Sequence, residues 1–239
     1  SKFNIDRDFG LQMRYKFNLS KKFVVKKTFA ISQGEGRNVS KGNLGGHQYT
    51  AKIDLLPFGN FKSDGDYVGN DIEREKKPKL LVGVAYDYNN DSVKTRGNTG
   101  NYMETTTGFF KTDIKSLFVN SHFKYMGLSF MGEYASRTSD DAISKNSDGS
   151  LTGDIVNDGS AINFQIGYVT PSNVAITTRF TNIKFKDIIY PKNDTEQLTI
   201  GLSKYFVKHK LKIQSDLTSE KSMNNKNKIF YRLQFEIHF

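Results

Sequence analysis

Cysteine and tryptophan are both absent from the 239 residues, and proline occurs four times. Without cysteine there can be no disulfide, no thiolate metal site and no thiol nucleophile. No apolar run approaches the ~18 residues that a membrane-spanning helix requires. Mean hydropathy is −0.56 and 36% of residues are hydrophobic, which on a hydropathy scale alone reads as a soluble chain. That scale misleads for β-barrels, where half of each spanning strand faces a polar lumen. No stretch carries a helical repeat. The four histidines, His47, His122, His209 and His238, show neither metal-ligand spacing nor a neighbouring nucleophile. There is no G-x-S-x-G, and Gly34-Glu35-Gly36 is not followed by a helical pattern, so nucleophile-elbow and dinucleotide chemistries lose their usual signatures. The chain is read as a non-enzyme without a cofactor.

What is present is alternation. Leu11, Met13, Tyr15 and Phe17 share one face of an extended segment, with Gln12, Arg14 and Lys16 on the other. Leu80, Val82, Val84, Tyr86 and Tyr88 oppose Gly83, Ala85 and Asp87. Phe110, Ile114 and Phe118 are placed on an apolar face against Asp113 and Lys115. Ile162, Phe164, Ile166 and Tyr168 oppose Asn163, Gln165 and Gly167, and the last segment sets Ile229, Tyr231, Leu233, Phe235, Ile237 and Phe239 against Arg232, Gln234, Glu236 and His238. About eleven such segments of ~9–11 residues fit the length of tilted bilayer-spanning strands. The fold expected is all-β: an antiparallel transmembrane β-barrel in a single domain over residues 1–239.

Connections alternate as well. Short turns are expected at Asn18–Lys22, near His122–Gly127, at Pro171–Asn173 and around Lys208–His209. Long polar loops are expected at Gln33–Gln48, Asn89–Thr107, Thr138–Ser160, Lys184–Thr195 and Ser219–Lys228. Short turns on one side and long loops on the other match the periplasmic and extracellular ends of an outer-membrane barrel. Pro57–Pro78 breaks the rule, because it belongs to the short side yet is long. An odd strand count, with no leader visible at Ser1-Lys2-Phe3, points to strands preceding this chain.

The closing segment Tyr231-Arg232-Leu233-Gln234-Phe235-Glu236-Ile237-His238-Phe239 resembles the β-signal read by the barrel assembly machinery, carried by Tyr231, Leu233, Phe235, Ile237 and Phe239. Three further stretches resemble the phosphate-selective porin O and P family. These are Arg7-Asp8-Phe9-Gly10-Leu11-Gln12, then Gln165-Ile166-Gly167-Tyr168 with Pro171 and Thr178-Arg179-Phe180, and Gly201-Leu202-Ser203-Lys204-Tyr205-Phe206 followed by His209–Asp216. The resemblance implies a sixteen-stranded porin of a Gram-negative outer membrane, usually trimeric, of which this chain is the C-terminal part. It also implies passive diffusion of small anions such as phosphate, with the family's constriction loop and arginine row lying mostly before residue 1.

The formal charge of +10 agrees with an anion path. Arg14, Lys16, Lys26, Lys52, Arg137, Arg179, Lys212 and Arg232 fall on the polar faces and are the candidate pore-lining cations. For most of them the expectation is ordinary wall pairing with Asp54, Asp113, Glu133, Asp216 or Glu236. Arg14 and Arg179 stand out because no carboxylate occupies an adjacent same-face position. Asp64, Asp66 and Glu75, with Gly69, loosely fit a calcium-loop spacing, but Val68 at the fifth position offers no side-chain oxygen, and solvated acids are the favoured account. Nucleic acid is not an expected partner, since the aromatics share a face with aliphatics. The alternative to a channel is a barrel serving as a scaffold or as a component of a surface or secretion complex.

Overall fold

The computed structural model describes residues 2–37, 39, 42–186, 194–222 and 225–238. Eleven strands form one antiparallel sheet in which every strand pairs with the next of the eleven along the chain. They are β1 (Gly10–Asn18), β2 (Val24–Ser32), β3 (Gln48–Leu56), β4 (Lys79–Ser92), β7 (Thr112–Tyr125), β8 (Leu128–Ser139), β11 (Gly159–Val169), β12 (Val174–Phe185), β13 (Thr195–Val207), β14 (Leu211–Ser222) and β15 (Asn225–Ile237). Two small hairpins, β5 (Glu104–Thr105) with β6 (Gly108–Phe109) and β9 (Ile143–Lys145) with β10 (Leu151–Ile155), decorate the long loops. One 3-10 segment, Lys62–Tyr67, is the helical content among the described residues. The expected strand number is borne out. A closed barrel is not: β1 and β15 each have a single neighbour in the sheet.

The register carries the apolar rows across the sheet in phase. Tyr15, Lys27, Ile53, Val84, Val119 and Tyr134 lie side by side through successive pairings, and Phe164, Phe180, Leu198, Ser219 and Ile229 form another run. A slip of one residue in any pair would turn a strand's apolar set to the opposite face. Leu11 is 82% exposed and Ile229 75%, and exposed large apolar residues occur on every one of the eleven strands. The opposite face is polar and carries packed segments. The sheet is therefore inverted relative to a water-soluble fold, with greasy side chains outside and hydrogen-bonded polar groups inside.

Three expectations are corrected. Ile114 and Phe118 lie on the inner face, because Val119 pairs with Val84 and Leu117 with Tyr86, which puts Leu117, Val119, Phe123 and Tyr125 outward. Ile114 is buried there against Met103 and Val156, under the long loops, so its apolar side chain is covered from inside. Ser219–Lys228, expected as a loop, is strand through Ser222 and again from Asn225. The turn near His122–Gly127 is tighter than expected, since β7 runs to Tyr125 and β8 starts at Leu128. Met126 (φ 53°) and Gly127 (φ 92°) make this two-residue connection. Positive φ at both central positions gives the backbone twist that suits a tight hairpin.

Candidate functional site

Pro57–Pro78, too long for its side of the sheet, folds onto the polar inner face and crosses much of it. Phe61 anchors its first end in an apolar patch of Val24, Leu56 and Leu81 at the short-turn end of β2–β4. Ile72 anchors the other end against Val169, Ala175 and Tyr205 on β11–β13. Burial of side chains this size contributes about 1.5–3 kcal/mol each. Between the anchors the insert makes polar contacts with the wall. Asp66 pairs with Lys26 of β2 at 2.5 Å. Lys124 of β7, which is buried, donates to the carbonyls of Gly65 (2.7 Å) and Asn70 (3.0 Å). The Asn70 amide donates to the Tyr205 hydroxyl at 3.0 Å, and its carbonyl accepts from Thr177 at 3.2 Å. Asp71 accepts the backbone N–H of Gly127 at 2.8 Å, and the Arg74 guanidinium donates to the Val169 carbonyl.

Lys208, in the β13–β14 turn, pairs with Glu73 of the insert at 2.6 Å. The Lys208 ammonium holds the Glu73 carboxyl below the usual glutamate range. That contribution is present above the ordinary glutamate pKa and is lost as pH falls through the lowered value. Both groups are partly exposed, so it amounts to at most about 1 kcal/mol.

The close fit depends on glycine at position 167. A Cβ there would come within 2.5 Å of the Asn70 Oδ1 and 3.0 Å of the Ser129 Oγ. Gly167→Val is expected to release this part of the insert and to destabilise the fold by about 1–3 kcal/mol. Limited trypsin digestion checks it: faster cutting at Lys62 or Arg74 is expected, and an unchanged cleavage pattern would count against the packing described.

A second segment covers the inner face from the long-loop end. Phe3 is buried, with its ring 5.7 Å from that of Phe185. The Asn4 carbonyl accepts from Arg137, and Asp8 accepts the backbone N–H of Gly34. Arg137 is 2% exposed. Its Nε donates to Ser116 at 3.4 Å, its electrostatic partners are Asp87 and Asp158, and its Nη1 has no hydrogen-bond partner among the described residues. Burial raises the pKa of Asp158, which lies in the loop before β11.

The eight candidate cations therefore separate. Lys26 is bound to Asp66, Lys52 to Asp54 at 3.0 Å, and Lys212 to Glu236 at 2.7 Å. Two nitrogens of Arg232 reach one oxygen of Asp216, at 2.9 and 3.0 Å. These four are paired wall residues, and Arg137 is an internal clamp. Arg14 and Lys16 lie exposed on the inner face of the edge strand β1, where Arg14 Nε donates to Gln12 at 2.7 Å. Arg179, on β12, has no carboxylate partner among the described residues. It lines an open cavity of about 300 Å³ with Glu133, Asn163 and Thr181, and a second of about 150 Å³ with Gln165, Thr199 and the insert's Asn70. Comparison with protein-family models, curated proteins and solved structures found no match.

The three acids of the calcium-like spacing do not converge, and of them only Asp64 is a solvated acid as expected, since Glu75 is buried and Asp66 is half-buried against Lys26. Asp66 is held by Lys26, Glu75 accepts the Lys62 backbone N–H at 2.6 Å, and no group of three acidic or histidine side chains among the described residues is placed to hold a metal. Tyr231, Leu233, Phe235 and Ile237 form the exposed outer row of β15, and Phe239 lies outside the described residues. The insert's role was missed in the sequence. Its length in a place for a short turn was the one available signal.

Proposed function

We propose that the chain is part of an outer-membrane porin that lets small hydrophilic anions diffuse passively. The observation that carries the reading is the inverted sheet, with an exposed apolar row on every long strand and a polar, hydrogen-bonded inner face. In this reading the apolar rows dissolve in hydrocarbon and strands beyond β1 and β15 complete the barrel. The short turns face the periplasm. The resemblance to the phosphate-selective porin O and P family, delivery by the barrel assembly machinery and a trimeric assembly belong to the same proposal.

Anion preference rests on the net charge of +10 and on Arg179, Arg14 and Lys16, which have no carboxylate partner among the described residues. Planar-bilayer recording in a KCl gradient tests it. The reversal potential is expected to favour chloride, and Arg179→Glu is expected to cut the anion-to-cation permeability ratio severalfold. Cation selectivity in the unmodified protein would reject the anion reading. A second reading, a barrel that acts as a scaffold rather than an open channel, is favoured by the insert that occupies the inner face. Absence of any conductance in a correctly inserted protein would select it.

A further inference from the structure

The outward face of the sheet carries few charges. At the long-loop margin the outward Lys115 pairs with Asp140 at 2.8 Å, Lys221 approaches Glu196 at 3.8 Å, and Lys184, outward by its register with Ser160, is exposed. At the short-turn margin the outward cations are Lys27 on β2 and Lys204 on β13, as their registers with Tyr15 and Val174 place them. Neither has a carboxylate partner among the described residues. Each amine instead sits by an aromatic ring. Lys27 Nζ is 5.3 Å from the centroid of Phe17, and Lys204 Nζ is 5.9 Å from that of Phe206 while donating to the Ser172 carbonyl at 2.7 Å. Phe17 lies nearer the turn than Lys27 in the β1–β2 pairing, so the lysine stem runs toward the rim. That is how a cation on a lipid-facing surface brings its head to the polar boundary. Exposed lysines stand beside each: Lys21 and Lys22 in the β1–β2 turn, Lys210 in the β13–β14 turn. Exposed Leu19 and Val207 complete apolar shoulders next to these charges.

We infer that the short-turn rim holds anionic phospholipid head groups, with Lys27 and Lys204 as the two anchor points. A head-group phosphate supplies the negative charge that Asp140 and Glu196 provide to Lys115 and Lys221 at the opposite margin. The acyl chains of the same lipid cover the apolar rows that begin immediately above. This rests on the membrane-barrel reading but not on channel activity.

The test uses the full protein reconstituted in nanodiscs of phosphatidylcholine and phosphatidylglycerol mixed equally, with the retained lipid counted by native mass spectrometry after detergent extraction. Phosphatidylglycerol is expected to be enriched about tenfold over phosphatidylcholine. The enrichment should be largely lost in K27Q/K204Q and kept in K27R/K204R. Equal retention of the two lipids, or enrichment unaffected in K27Q/K204Q, overturns the inference. Displacement of the lipid by excess inorganic phosphate also overturns it, because the rim would then be a site for the free anion. Failure to enter the disc overturns it together with the membrane reading, and is told apart by the absence of any lipid-bound species.

Discussion

Replacing Arg137 with methionine is expected to lower the stability of the folded protein by about 1–3 kcal/mol. The guanidinium is almost completely buried and lies in the field of Asp87 and Asp158, opposed by that of Arg96. Asp87 is buried too, and its carboxylate accepts hydrogen bonds from Gln48 (2.8 and 2.9 Å) and Thr50 (2.6 Å). Those neutral donors satisfy its lone pairs without cancelling its charge. Removing the cation takes from the buried Asp87 its cationic neighbour, and frees the Asn4 carbonyl from its donor. The loss is therefore mostly the uncompensated acid rather than the vanished contact. Asp87→Asn in the same chain should recover part of it. Urea titration at constant detergent, followed by far-UV circular dichroism, measures both. A loss below about 1 kcal/mol in the single variant, or no recovery in the double, would refute the clamp.

The second large effect concerns transport. Substituting a short turn for residues 61–76 is expected to raise single-channel conductance severalfold. The insert lies on the polar face with an anchor near each flank, Phe61 on β2–β4 and Ile72 on β11–β13, so its removal widens any path along that face. The cost in stability should be that of losing the two apolar anchors, roughly 1.5–3 kcal/mol each, because the wall between them is polar and water can solvate it. Lys124 would exchange the Gly65 and Asn70 carbonyls for solvent, and Lys26 would lose Asp66. Single-channel recording of the shortened and intact proteins side by side decides it. An equal conductance would show that ions bypass the insert, and two silent proteins would favour the scaffold.

How much of this was legible beforehand follows from the range of the forces involved. Alternation is local, so most strands and their outward rows could be read directly. It failed at β7, where both faces carry apolar side chains. Only the pairing of Val119 with Val84 decides which face turns outward, and Ile114 is accommodated inside by Met103 and Val156, from other parts of the chain. Pairing with a strand carboxylate is legible for Lys52, Lys212 and Arg232, whose partners lie in the same or the adjacent strand. Lys26 found a partner forty residues away in the insert. Arg137 became a clamp through a segment 133 residues distant. Neither pairing leaves a trace in local spacing, because both come from chain that returns to the face after many intervening strands.

In the membrane setting proposed above, the two edge strands, β1 and β15, have a consequence for how the molecule reaches its final state. The free side of β1 carries alternate amides and carbonyls over nine residues. In hydrocarbon each such group would lack a partner, at several kcal/mol apiece. Their sum exceeds the whole stability of an ordinary domain. An inserted sheet with this side uncovered is thus not a resting species but a transient. Hairpins can accumulate one after another at a watery surface, yet the crossing itself must finish with both margins sealed, in a single committed event.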